Sequence, residues 1–209
     1  MLELLRFDAY KRLNPNELTI QQLQKIETAL KHPERDNFDD ELLDFKLWCQ
    51  GLPSRQERFA EYLSKKLPKE PGLKVLEVGC GRTARLSRFL EQKGYVMTCI
   101  DPEVNLSYCT NINGIKGKFN YQKIDLSPYD FVVAQEPCDA TEHIVRACTQ
   151  QNKPFIISLC GTAHRMISGE MPKNYEEWYQ KLLSIAPGTM KLLYLKLDPL
   201  SITPLLKSK

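Results

Sequence analysis

The sequence lacks three features that would place it in a simple class: a long apolar run, a strong charge imbalance and a regular cysteine pattern. No apolar stretch reaches the roughly eighteen residues of a membrane span, so no transmembrane helix is predicted. Residues 1–8 carry acids within their apolar stretch, which is not typical of a signal peptide. Lys and Arg number 29 against 26 Asp and Glu, a net charge of +3. This balance gives no electrostatic reason to predict a dedicated nucleic-acid binder.

The cysteines argue against a disulfide framework and against a zinc site. There are 7, an odd number, and no two have CxxC spacing. Scattered cysteines of this kind are typical of reduced thiols that pack as small apolar residues. The sequence therefore predicts a cytoplasmic protein that contains no metal site.

Length and composition predict one domain with an extension. The chain has 209 residues, of which 42% are hydrophobic and 26% charged, as in ordinary globular proteins. Apolar residues recur at helical intervals over 17–30 and 38–50, and a third amphipathic run opens at Pro53 and Ser54. We expect a helical N-terminal extension over residues 1–70 and a main domain over 71–209.

After Gly72 the pattern changes to strands that alternate with helices. Helices are predicted over 83–93, 141–150 and 175–185. Strands are predicted over 74–79, 95–100, 119–124, 129–134, 154–159 and 190–197, and 200–206 fits either a last strand or an unpaired tail. Such alternation predicts an α/β fold, a Rossmann-like doubly wound and mostly parallel sheet.

The most informative segment joins the first predicted strand to the next helix. Glu77-Val-Gly79-Cys80-Gly81 places two glycines in this turn, where the backbone can approach a ligand closely. Asp101 ends the second strand about twenty residues later, where a carboxylate can accept hydrogen bonds from ribose hydroxyls. Parallel neighbouring strands bring both segments to the same sheet edge, so we predict a pocket for an adenosine-type ligand whose charged tail meets the main-chain amides of residues 79–81.

Over residues 72–159 the sequence resembles the class I S-adenosylmethionine-dependent methyltransferases. The resemblance implies S-adenosylmethionine as cofactor, with the glycine loop along its methionine portion. It further implies that Asp101 holds the ribose, that Asp125 after the predicted third strand meets the adenine amine, and that Glu77 orders the loop. The implied activity is in-line attack on the sulfonium methyl. The implied cofactor-binding residues are Glu77, Gly79, Cys80, Gly81, Asp101 and Asp125.

Two features depart from that family pattern. Thr83 stands in place of a third loop glycine, and its hydroxyl could cap the following helix. Only residues 126–129 separate the predicted third and fourth strands, which is too few for a helix. One sheet face would then lack its usual cover, and we hypothesise that the N-terminal helices supply it.

The substrate side is predicted from the loops after the fourth and fifth strands. Glu136 follows the fourth strand and could act as a general base or substrate anchor, or could instead cap the next helix. His164 follows the fifth strand and could remove a proton near neutral pH, although a lone loop histidine is often merely solvated. We assign Cys160 to packing and His143 to a structural role in a helix. No Asn/Asp-Pro-Pro-aromatic motif follows the fourth strand, so amino-group methylation is not indicated.

Three other functions are compatible with the sequence. Gly79, Gly81 and Ala84 fit the G-x-G-x-x-G/A fingerprint of NAD(P)-binding oxidoreductases, although such enzymes usually have an apolar residue at the position of Glu77. A non-catalytic S-adenosylmethionine-binding or scaffold protein would need no acceptor motif. A structural domain with an empty glycine loop would bind no ligand. The sequence contains no motif that indicates a methyl acceptor or an oligomeric state.

Overall fold

The computed structural model describes residues 53–195 and 203–209, which form a seven-stranded sheet with helices on both faces. The helices predicted over 17–30 and 38–50 lie outside these residues. The helices are α1 (Arg55–Lys66), α2 (Arg85–Glu91), α3 (Ala140–Gln150) and α4 (Tyr175–Ser184), with a short 3-10 helix at Leu106–Tyr108. The strands are β1 (Lys74–Val78), β2 (Val96–Asp101), β3 (Asn113–Lys116), β4 (Phe131–Gln135), β5 (Phe155–Ser158), β6 (Met190–Leu195) and β7 (Thr203–Ser208).

The strand order is β3-β2-β1-β4-β5-β7-β6. Strands β1 to β5 pair in parallel, and β7 pairs antiparallel with both β5 and β6. This arrangement confirms the predicted doubly wound, mostly parallel sheet, and it resolves the open question at the end of the chain in favour of a strand. Among the described helices, none is long and apolar enough to cross a membrane.

Two hydrophobic cores lie on opposite faces of the sheet, because successive strand residues point to opposite sides. Leu76 and Val78 of β1 belong to one core, which is covered by α3 and α4. Val75 belongs to the other core, which is covered by α1 and α2. Burial on both faces explains why the central strands read as short continuous apolar runs.

Helix α1 begins at a capping box, the pattern Ser-x-x-Glu. The Ser54 N–H donates to the Glu57 carboxylate at 2.8 Å, and the Glu57 N–H donates to Ser54 Oγ at 3.2 Å. Farther along the helix, Phe59 and Leu63 are buried in the same core as α2. This helix therefore matches the run predicted to open at Pro53 and Ser54. Covering of the sheet by the two preceding helices stays a prediction.

The predicted third strand over 119–124 is wrong. Strand β3 is Asn113–Lys116, and residues 119–124 form turns and loop instead. Asn and Gly are poor strand formers, which hides β3, whereas the aromatic residues after it favour a strand by propensity. Gly114 packs closely in β3: a Cβ there would lie 2.8 Å from the side-chain ends of Leu106 and Cys109, which would have to shift.

The link between β3 and β4 therefore runs over 117–130 and is longer than predicted. It contains no helix, as expected. Its buried side chains Phe119 and Leu126 belong to the core beneath α3, so the link itself covers part of that sheet face.

Candidate functional site

The loop after β1 is shaped by two glycines with left-handed backbone conformations. Gly79 has φ 73° and Gly81 has φ 64°, values that favour glycine. A Cβ at Gly79 would lie 3.0 Å from both Cα and Cβ of Pro137, in the loop after β4. Gly79 therefore lets the loops after two adjacent central strands approach each other.

Glu77 fixes the other end of this loop by holding the first turn of α2. Its side chain is 2% exposed, and its carboxylate accepts hydrogen bonds from both the backbone N–H and the hydroxyl of Ser87. The N-cap residue of α2 is Ala84, so the prediction that Thr83 occupies the capping position of this helix is wrong. Burial raises the pKa of Glu77 to about 7, against the lowering effect of the two Ser87 hydrogen bonds.

Asp101 joins the end of β2 to the glycine loop. Its Oδ2 accepts from the Gly81 N–H at 3.0 Å, and its Oδ1 accepts from the Glu103 N–H at 2.8 Å. Each carboxylate oxygen can accept a second hydrogen bond, and the half-exposed side chain can therefore still bind a ligand hydroxyl.

Two backbone N–H groups of the glycine loop already donate hydrogen bonds within the protein, whereas the sequence predicts that they bind a ligand. The Gly79 N–H donates to the Ile100 carbonyl at 2.9 Å, and the Gly81 N–H donates to Asp101. These two donors, predicted to receive the charged tail of a ligand, are engaged within the protein. Their function in this structure is to position the loop against β2.

A cavity of about 390 Å³ opens at the carboxyl ends of the central strands. Its walls are residues 78–79 after β1, 100–102 after β2, 117–119 after β3, 137–140 after β4, and His143 of α3. The reversal of strand order between β1 and β4 is the topological switch point at which open α/β sheets bind ligands. The volume lies within the usual range of small-molecule sites.

The cavity brings together only two of the predicted cofactor residues, Gly79 and Asp101. Glu77, Cys80 and Gly81 do not line it; Glu77 and Gly81 shape the loop through the hydrogen bonds described above. The position after β3 is occupied by Lys118 and Phe119, which the sequence analysis missed because β3 was misplaced.

Asp125 lies outside the cavity, in an exposed turn. Its two carboxylate oxygens accept from the Ser127 N–H at 2.8 Å and the Ser127 hydroxyl at 2.7 Å. These hydrogen bonds hold the pKa of Asp125 below its usual value. The prediction that Asp125 directly follows the third strand is wrong, because β3 ends at Lys116.

His143 lines the cavity, whereas the sequence predicts only a structural role for it. Its Nδ1 lies 3.5 Å from the Tyr121 N–H, and the two rings are 5.5 Å apart. Burial lowers its pKa, which favours the neutral imidazole at neutral pH. Ala140 and His143 are one helical turn apart and both line the cavity; this spacing at the start of α3 was the available sequence signal.

The loop after β4 is strained next to the cavity. Glu136 and Cys138 both have φ 50°, which is uncommon outside glycine and clusters at functional sites. The Glu136 N–H donates to the Ser158 carbonyl at 2.8 Å, which ties this loop to β5. Glu136 itself is not among the residues that line the cavity.

His164, the second predicted substrate-side residue, packs between two loops and a helix. Its Nδ1 lies 3.3 Å from Asp139 Oδ1, and its ring lies 5.2 Å from that of Trp178. Cys160, which was assigned to packing, places its sulfur 3.6 Å from that of Cys138. Sequence reasoning does not predict this Cys138–Cys160–His164 cluster, because its members come from two loops and have no regular spacing.

Three solved structures that share this fold are methyltransferases. A S-adenosylmethionine-dependent methyltransferase from Leishmania major has TM-score 0.52 and 14% identity, with 88% of this chain and 82% of that chain covered. Magnesium protoporphyrin IX methyltransferase from Synechocystis PCC 6803, solved with bound S-adenosylmethionine, has TM-score 0.51 and 14% identity, with 88% and 95% covered. The chain has the fold of class I S-adenosylmethionine-dependent methyltransferases.

A third structure of the same fold is the glycopeptide N-methyltransferase MtfA in complex with S-adenosylmethionine. It has TM-score 0.50 and 10% identity, with 73% of this chain and 93% of that chain covered. No protein-family model matches the chain, and no curated protein matches it in sequence. At such low identities these likenesses concern the fold.

Proposed function

We propose that the chain binds S-adenosylmethionine in the cavity at the ends of β1 to β4 and transfers its methyl group to an acceptor. The observation that carries this proposal is the meeting of Gly79 and Asp101 in one cavity at the topological switch point. S-adenosylmethionine is also the ligand named for two of the structures that share the fold.

The residues of the cavity suit an adenosyl group. Asp101 offers a half-exposed carboxylate with acceptor capacity left for the two ribose hydroxyls. Ile100, Pro102 and Phe119 provide apolar wall for an adenine ring. Gly79 has no side chain that could obstruct a ligand at the end of β1. Glu77 stabilises the loop through its hydrogen bond with Ser87.

For methyl transfer the protein mainly has to position the two reacting groups. When bound, S-adenosylmethionine supplies a methyl group that its sulfonium already activates. The protein must hold an acceptor atom in line at about 3 Å and, for some acceptors, accept a proton. Glu136 stays our candidate for that proton acceptor, and Glu136 and His164 both stay candidates for contact with the substrate, since they lie in the loops that follow β4 and β5.

The topology favours this function over nicotinamide binding. The strand order of dinucleotide-binding Rossmann domains is 3-2-1-4-5-6, whereas here antiparallel β7 is inserted between β5 and β6. In addition, the carboxylate of Glu77 is committed to α2, at a position where dinucleotide-binding proteins usually have an apolar residue.

Calorimetric titration tests the proposal, with S-adenosylhomocysteine and NAD as the two ligands. We expect S-adenosylhomocysteine alone to bind. Asp101→Asn should weaken that binding by about 10- to 100-fold, because one charged acceptor to the ribose is lost. Asp125→Asn is the matched control, since this aspartate lies outside the cavity, and it should leave the affinity unchanged.

Either of two results contradicts the proposal: heat with NAD but none with S-adenosylhomocysteine, or equal affinities of the Asp101 and Asp125 variants. The thermal unfolding temperature of each variant, measured without ligand, separates loss of binding from loss of folding. Tight binding without methyl transfer to any thiol, hydroxyl, amine or carboxylate acceptor would instead support the non-catalytic alternative.

A further inference from the structure

Three potential metal ligands meet beside the cavity, where the loops after β4 and β5 come together. The sulfurs of Cys138 and Cys160 are 3.6 Å apart, and these two sulfurs and a ring nitrogen of His164 all lie within 4.8 Å of one another. Within residues 53–195 and 203–209 this is the one group of three His, Cys or acidic side chains with such spacing. We propose that Cys138, Cys160 and His164 form a Zn²⁺ site.

The spacing of the sulfurs matches that expected of two zinc ligands. Zn–S bonds of about 2.3 Å at a tetrahedral angle place two sulfurs about 3.8 Å apart, close to the spacing found here. A disulfide would require the sulfurs to approach to about 2.05 Å, and neither cysteine forms one. Bringing the imidazole nitrogen to bonding distance requires a side-chain movement on the order of 1 Å.

The hydrogen bonding of His164 matches that of a metal ligand. With its Nδ1–H donated to Asp139 Oδ1 at 3.3 Å, the ring carries its lone pair on Nε2. That Nε2 atom is buried and has no hydrogen-bond partner within the described residues. Buried polar atoms normally have a partner, and a ligating histidine typically donates its other N–H to a carboxylate. A metal bond at Nε2 accounts for both observations.

Helix α4 holds these ligands in place from behind. The hydroxyl of Tyr179 donates to the Cys160 carbonyl at 2.9 Å, and the Trp178 ring packs on the His164 ring at 5.2 Å. Trp178 is 1% exposed, so the support is part of the core. Such second contacts orient metal ligands and limit their freedom before the ion binds.

The charge balance of the proposed site is complete. Binding of Zn²⁺ displaces one proton from each thiol to solvent, and the two thiolates neutralise the ion while the imidazole stays neutral. Three protein ligands leave the fourth tetrahedral position to water or another small ligand. Because Cys138 also lines the cavity, the ion would lie in the cavity wall.

Cobalt titration of the 209-residue chain tests the site. The reduced protein, prepared without a histidine tag and treated with chelator, is titrated with Co²⁺ in the absence of any adenosyl compound. We expect a thiolate-to-cobalt charge-transfer band and tetrahedral d–d bands that saturate at one ion per chain. Added Zn²⁺ should abolish these bands, and competition with a chromophoric chelator gives the affinity.

Variants identify the ligands. Cys138→Ser and His164→Gln should each weaken metal affinity at least about 100-fold, more than loss of a supporting residue. Cys109→Ser is the matched control: its sulfur lies 3.9 Å from that of Cys99, in a sulfur pair outside the three-ligand group, and it should leave the bands unchanged. Far-ultraviolet circular dichroism verifies that each variant is folded.

The absence of charge transfer at one equivalent of Co²⁺ would overturn the proposal. So would bands that persist in both Cys138→Ser and His164→Gln, or bands that Cys109→Ser abolishes. None of these results depends on the adenosyl cofactor, so the metal site and the proposed function fail independently.

Discussion

Glu77 is expected to make the free energy of unfolding depend on pH, and substitution with glutamine should remove that dependence. Burial raises the pKa of this carboxyl group from 4.5 to about 7 in the folded chain. Between these two values the folded chain retains a proton that the unfolded chain has lost, so the free energy of unfolding falls as pH rises. The two pKa values differ by roughly 2.5, which corresponds to about 3 kcal/mol lost once the pH exceeds the folded-state pKa.

Urea unfolding at pH 5 and pH 8, followed by tryptophan fluorescence, measures this effect. The difference between wild type and Glu77→Gln cancels the other titrating groups, and it should fall by about 2–3 kcal/mol from pH 5 to pH 8. Asp125→Asn is the control: hydrogen bonds lower the pKa of that exposed carboxyl group below its ordinary 3.8. Asp125 is therefore ionised in both the folded and the unfolded chain from pH 5 to pH 8, and the difference between wild type and Asp125→Asn should stay constant. A difference between wild type and Glu77→Gln that stays constant to within about 0.5 kcal/mol over this range would contradict a raised pKa of Glu77.

Two further substitutions test the loops around the cavity. Gly79→Ala should destabilise the protein by about 2–4 kcal/mol, because alanine is strained in a left-handed conformation and its Cβ would overpack against Pro137. Gly72→Ala is the control. Gly72 has φ 80° and no atom within 4 Å of the added Cβ, so this substitution should cost only the backbone strain. Equal losses in urea unfolding would show that the close approach at Gly79 is unimportant. The buried Glu142 carboxylate accepts a hydrogen bond from the Ile167 N–H at 2.6 Å and forms an ion pair with Arg146 at 2.7 Å. Glu142→Ala should therefore lower the free energy of unfolding by about 3 kcal/mol and speed amide exchange at Ile167. Unchanged exchange at Ile167 would contradict this assignment.

The central strands and the glycine loop were predictable because local pattern determines them. Strands β1, β2, β4 and β5 are apolar and buried on both faces, so they form short continuous hydrophobic runs. The adjacency of Gly79 and Asp101 follows from parallel pairing of β1 with β2, which places both strand ends at one edge. Their meeting in one cavity is consistent with the sequence-based pocket.

The rest of the site depends on contacts that no local pattern contains. Strand β3 contains Asn113 and Gly114, which have low strand propensity, and it is in the sheet through its pairing with β2. A third strand predicted over 119–124 makes Asp125 the residue expected at the cavity. In the structure β3 ends at Lys116, so Lys118 and Phe119 line the cavity instead. The pairing of Cys138 with Cys160 likewise arises only when β4 and β5 lie side by side.

The most direct test of the proposed function is a crystal structure of the protein with S-adenosylhomocysteine. We expect the ribose hydroxyls within hydrogen-bond distance of the Asp101 carboxylate and the adenine against Phe119, between the ends of β2 and β3. A nucleoside bound anywhere else, or a cavity without ligand density at a saturating concentration of S-adenosylhomocysteine, would contradict the proposed function.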